Sequence, residues 1–115
     1  MTKIRLEYLN ELCAGDMNFI SEMLKTYIDE TGKELRHLKE DFEQKNREGI
    51  YFLAHKLKTS FQMLGLDQLR QNTMLLEQKT KSKDCSFEEL EEIFQFIIEN
   101  GEKSLKQAQR LIEDL

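Results

Sequence analysis

Ser86–Leu115, SFEELEEIFQFIIENGEKSLKQAQRLIEDL, carries apolar side chains at Phe87, Leu90, Ile93, Phe94, Ile97, Ile98, Leu105, Ala108, Leu111, Ile112 and Leu115. Steps of three and four keep these residues on one side of an α-helix. Ser86 with Glu89 three residues later makes a capping box at the helix start. This is the strongest periodic signal in the chain. It predicts a long amphipathic helix whose apolar stripe needs other helices to cover it.

The same period recurs upstream. Leu6, Leu9 and Leu12 form a repeat of three that fits one face of a short first helix, ending at Gly15. Asp16 is placed to cap a long second helix, whose stripe is Phe19, Ile20, Met23, Leu24, Tyr27, Ile28, Leu35, Leu38 and Phe42. Gly32 lies inside it as a point of bending or loosening. Asn46 caps a third helix running to about Leu64, and Gly65 closes it where a left-handed C-cap is needed. Asp67 starts a fourth through Leu69, Leu75 and Leu76, which gives way to a polar loop over Lys79–Asp84. No run alternates with the period of two that a strand requires. The pattern predicts an all-α fold: an antiparallel up-down four-helix bundle with a short additional N-terminal helix, in a single domain over residues 1–115.

Composition agrees with long helices, because the chain has no proline and only five glycines. The net charge of −5 comes without a basic patch, which argues against a nucleic-acid partner and against an anionic membrane surface. No apolar stretch approaches the roughly 20 residues that span a bilayer. The start of the chain has no apolar run behind its basic residues and is not a signal peptide, so the expected location is cytoplasmic. Cys13 and Cys85 are far apart and lack metal-ligand spacing; reduced thiols are the expected state. With only two histidines, a zinc site is not expected either.

The third helix carries the functional argument. At about 100° per residue, Ile50, Leu53, Ala54, Ser60, Phe61 and Leu64 fall within about 60° of Leu57, on the core side. His55 falls about 160° away and faces solvent. Tyr51, Phe52, Lys56, Thr59, Gln62 and Met63 surround it on that face or along its borders. Large apolar residues opposite a core stripe are accounted for by a docking surface for another protein. The alternative is that Phe52 and Met63 pack against the first or fourth helix. His37, in a run of charged residues, reads as a solvated helix residue.

A free imidazole titrates near about 6.5, so at neutral pH much of it offers a lone pair that can attack phosphorus. Lys58, one turn along, can supply positive charge to phosphoryl oxygens; Lys56 is a weaker candidate, and both also read as a solvated surface. The chain has no glycine-rich phosphate loop, so no kinase activity or nucleotide binding of its own is expected. No cofactor is expected; Mg²⁺, if used, belongs to the partner.

Ala54-His55-Lys56-Leu57-Lys58-Thr59-Ser60-Phe61-Gln62-Met63-Leu64-Gly65-Leu66 resembles the signature of histidine-containing phosphotransfer (HPt) domains, Ala-His-x-Leu-Lys-Gly-Ser followed by Leu-Gly or Val-Gly. The stretches Tyr8–Leu12 and Gly15–Ile20 also look like the entry to these domains. The resemblance covers nearly the whole chain. It implies a phosphorelay carrier with His55 as phosphoacceptor through Nε2 and Lys58 as its electrostatic assistant. It implies partners of one kind, the receiver domains of hybrid histidine kinases and response regulators, each bringing a phosphoaspartate and a Mg²⁺ site. One departure is Thr59, where the family usually has glycine. Its side chain can hinder approach or hydrogen-bond the ring or phosphoryl group, and the sequence leaves these open. A docking module that binds receivers without transferring phosphate is the alternative reading, and a helical adaptor is a third. A monomer is expected, since one bundle consumes the stripes.

Overall fold

The computed structural model describes residues 3–82 and 84–115. It contains five helices in the order α1 (Leu6–Leu12), α2 (Met17–Glu43), α3 (Arg47–Met63), α4 (Asp67–Lys81) and α5 (Phe87–Asp114), and no strand among the described residues. Connections of three residues between α2 and α3 and between α3 and α4 force consecutive helices to run antiparallel. Each of α2 to α5 packs on the next, and α5 returns to α2, closing a four-helix ring with α1 attached at one end.

Three helix starts form as the sequence predicts. The Asp16 carboxylate accepts from the backbone N–H of Asn18 at 3.0 Å and of Phe19 at 3.2 Å. The Asn46 side-chain carbonyl accepts from Gly49 at 3.1 Å, and the Ser86 hydroxyl accepts from Glu89 at 3.3 Å. Each satisfies backbone donors that the helix itself leaves unpaired. α4 starts without such a cap: Leu66 holds the cap position and Asp67 is the first helical residue.

The core is filled from all four long helices, with Leu24, Leu35, Leu38, Ile50, Leu57, Phe61, Leu69, Leu76, Leu90 and Ile97 almost wholly enclosed. One buried polar link crosses it. The Ser104 hydroxyl donates to the Gly101 carbonyl at 2.6 Å and therefore accepts from the Tyr27 hydroxyl, also at 2.6 Å. At one end of the bundle Phe42 stacks on Phe94 with ring centroids 4.0 Å apart and meets Phe87 edge-on. The Arg47 guanidinium covers the Phe87 ring and donates to the Cys85 carbonyl, which ties the start of α3 to the segment entering α5.

Several sequence expectations change here. The stripe of α2 starts at Ile20, because Phe19 is 60% exposed. In α1 only Leu9 is fully buried; Leu6 and Leu12 are exposed, since seven residues present a single inward position. The loop expected from Lys79 begins later. α4 runs on through Lys81, and Thr80 is buried with its hydroxyl donating to the Leu76 carbonyl at 2.8 Å. That internal bond satisfies the polar side chain and lets a polar stretch stay helical. Lys83 lies outside the described residues. Cys13 and Cys85 are free thiols, both buried.

The turn after α3 positions its C-terminal half. Gly65 has φ +70°, and a Cβ there would lie 2.9–3.1 Å from the Arg5 side chain. The Arg5 N–H donates to the Leu64 carbonyl at 3.1 Å, so the N-terminal segment closes over this turn. Gly32, in contrast, has room: the nearest atoms to a Cβ are side-chain atoms at 3.6 and 3.9 Å. Gly65→Ala is expected to lower stability by about 1–2 kcal/mol through the left-handed backbone. Gly32→Ala is expected to raise it by about 0.5–1 kcal/mol through helix propensity. Urea unfolding midpoints of the two variants should therefore move in opposite directions.

Candidate functional site

α3 is held by its inner face. Ile50, Leu53, Ala54, Leu57 and Phe61 are buried against the other helices, and this fixes the rotation of the helix about its axis. His55 then has to point outward, and its side chain is 62% exposed. Residues of α4 pack alongside, and one of them reaches the ring. The His55 Nδ1 lies 2.7 Å from Oε2 of Glu77, and the Lys58 ammonium donates to Oε1 of the same carboxylate at 2.9 Å. Glu77 is only 12% exposed, while Lys58 is about a quarter exposed.

Electrostatics decide the hydrogen's position. Burial works to raise the Glu77 pKa, but the hydrogen bonds from Lys58 and His55, with their charges, outweigh it and hold the carboxyl below its ordinary value. An ionised carboxylate only accepts hydrogen bonds. The His55 Nδ1 is therefore the donor, and in the neutral ring the lone pair sits on Nε2. The site thus combines an exposed imidazole, a tautomer fixed by a carboxylate and an ammonium on that same carboxylate.

The two lysines separate. Lys58 faces α4 and Glu77. Lys56, exposed, acts on Glu34 of α2: burial, and secondarily Glu30, raise the Glu34 pKa, and Lys56 opposes them. Around His55, Phe52 is 59% exposed and Met63 46% exposed, so neither packs into the bundle. Tyr51 is half-buried and meets Phe52 edge-on at 6.2 Å between ring centroids. Thr59 and Gln62 are exposed on the same helix. Met63 and Ser60 also border a groove of about 470 Å³ against α1 and α2, where Leu12, Phe19 and Met23 form much of the opposite wall. His37 is exposed on α2, remote in sequence from this arrangement.

Glu77 is the site residue that the sequence reading missed. It is 22 positions from His55, on a helix with no motif of its own. Its one signal is register: three residues before Thr80 and one after Leu76, it borders the buried stripe of α4 and so projects toward the neighbouring helix.

No helix among the described residues is long and apolar enough to cross a membrane. A family model described as Hpt domain matches residues 22–115. Comparisons with curated proteins and with solved structures gave no match. The matched region spans α3, α4, α5 and most of α2, and thus the whole four-helix ring apart from the first turns of α2. Hpt domains are phosphocarrier modules of two-component signalling, working with receiver domains through phosphohistidine rather than catalysing a reaction of their own. The chain belongs to the Hpt domain family, and its general function is histidine phosphotransfer in a phosphorelay.

Proposed function

We propose that the chain relays a phosphoryl group between the aspartates of receiver domains, carrying it on Nε2 of His55. The observation that carries this reading is the contact between His55 Nδ1 and the ionised, mostly buried Glu77, which leaves Nε2 as the free nucleophile on an exposed ring. In the loading step the Nε2 lone pair forms a bond to phosphorus. The bond from phosphorus to the receiver's aspartate breaks, and its electron pair leaves on that carboxylate. Onward transfer is the reverse with a second receiver. Lys58 lies near enough to turn from Glu77 toward the phosphoryl oxygens and offset their charge. The Mg²⁺ expected in the reaction belongs to the receiver, and this chain needs no cofactor of its own.

The receiver docks on the surface formed by Tyr51, Phe52, Lys56, Thr59, Gln62 and Met63. The support is exposure: Phe52 and Met63 are large apolar residues left uncovered on the helix that carries the exposed His55. In this reading the bundle works as a monomer in the cytoplasm.

Incubation with phosphorylated receiver domains is expected to place acid-labile phosphate on the wild type and none on His55→Gln, with the variant still folded. Receiver binding without any transfer would instead favour a docking module blunted near Thr59. Lys58→Ala is expected to slow transfer about tenfold, the scale of one charge-assisted hydrogen bond, with little change in receiver affinity. Stopped-flow transfer rates at saturating receiver check this. Phe52→Ala and Met63→Ala are each expected to weaken receiver binding by about 1 kcal/mol or more while moving stability by less than about 0.5 kcal/mol. Titration calorimetry and urea unfolding measure the two quantities separately.

A further inference from the structure

The groove of about 470 Å³ between α1, α2 and α3 takes no part in the chemistry of His55, which does not line it. Its volume falls within the range of small-molecule sites, about 300–1,000 Å³. Its lining is sorted by position along the helices. Leu12 and Cys13, at the end of α1, stand with Phe19 and Met23 of α2. The Cys13 thiol donates to the Met23 thioether at 3.9 Å, so this end offers little but apolar surface. Roughly 16 Å further along α2 the lining turns polar, with Glu30 and Thr31. α3 runs antiparallel, which sets Ser60 toward Glu30 and Met63 and Leu64 toward the α1 end.

Two observations concern what the polar end accepts. The charged residues that line the groove are Glu22 and Glu30, and no lysine or arginine does. Glu22 is already paired with Lys25 at 3.8 Å, whereas Glu30 makes no ion pair among the described residues. Thr31 is wholly buried, and its hydroxyl has no hydrogen-bond partner among the described residues. Thr73 and Thr80, also buried, differ: their hydroxyls donate to carbonyls one turn back. Buried hydroxyls are nearly always paired, so Thr31 marks a place for a hydrogen-bonding group at the end of the groove where Glu30 supplies negative charge. An ammonium suits both, because a carboxylate and a hydroxyl oxygen each accept from N–H.

We propose that this groove is a binding site for a small amphiphile carrying a protonated primary amine. The amine lies at the Glu30 and Thr31 end, and the apolar body runs past Met23 and Met63 toward Phe19 and Leu12. The reverse orientation would desolvate the cation among apolar side chains with no acceptor to replace water. An anionic head of the same length would meet Glu30 at close range and be repelled.

The test uses the full chain and two probes with the same alkyl chain, dodecylamine and dodecanoate, each below its aggregation concentration. Calorimetry measures affinity, and proton–nitrogen NMR maps the amides that shift. Dodecylamine should bind one per chain, with shifts at residues lining the groove, and dodecanoate should bind at least about tenfold more weakly. Glu30→Gln, at an exposed position, should weaken dodecylamine about tenfold and bring the two probes closer together. Phe19→Ala, also exposed, should weaken dodecylamine several-fold and leave the preference for the amine intact. Equal affinity for the two probes, no saturable binding, or a Glu30→Gln variant indistinguishable from wild type would overturn the inference. So would groove shifts that appear only on adding a receiver domain, or that grow with protein concentration alone, since these would make the groove a protein interface. The readout is binding rather than phosphoryl transfer, so it stands whether or not His55 carries phosphate.

Discussion

A carboxylate that is mostly buried stays ionised only when donors replace the water it has lost. Glu77 has two, the ring N–H of His55 and the ammonium of Lys58, one on each oxygen. Both donors come from α3 and the acceptor comes from α4, so the arrangement exists only while these helices keep their register. That register is set by the burial of Ile50, Ala54, Leu57 and Phe61 on one side and of Leu69, Thr73, Leu76 and Thr80 on the other. Thr73 and Thr80 fit this apolar seam because their hydroxyls donate to carbonyls one turn back, at 2.6 and 2.8 Å. The tautomer of a surface histidine is in this sense a consequence of core packing.

The rest of the molecule supports that pair of helices. α2 and α5 close the ring behind them, joined by the Tyr27–Ser104 hydrogen bond. Arg47 holds the start of α3 through the Phe87 ring and the Cys85 carbonyl. Gly65, in the left-handed region, ends α3 and lets Arg5 close over the turn. The outer side of α3 stays uncovered: it carries the exposed His55, Phe52 and Met63, with a groove toward α1 and α2 beside Met63. A rigid element bearing one accessible nucleophile suits a carrier, which must present the same atom to more than one partner.

Much of this was legible in the sequence, for a physical reason. Periodicity over Leu53, Ala54, Leu57 and Phe61 orients α3, and once the inner face is known the outer face follows, so the exposure of His55 and Phe52 could be read without coordinates. Caps at Asp16, Asn46 and Ser86 are local chemistry and were equally legible. Glu77 was not, because a partner 22 residues away is set by how two helices cross, and no local spacing encodes that crossing. The same limit explains Phe19: it has the right period for the core, but its turn of α2 lies at the rim, where α1 is too short to cover it. Thr80 and Lys81 read as loop because threonine, serine and lysine cluster there, whereas burial of Thr80 and its bond to Leu76 extend the helix.

The account rests on a single atom, Nε2 of His55, being the one that carries phosphate. The most direct measurement is nitrogen–phosphorus NMR of the ring-labelled chain after transfer from a phosphorylated receiver domain. The account predicts phosphorus coupled to Nε2 of His55, with the Nδ1–H signal retained and slow to exchange with water. Phosphorus on Nδ1, or on any residue other than His55, would contradict it.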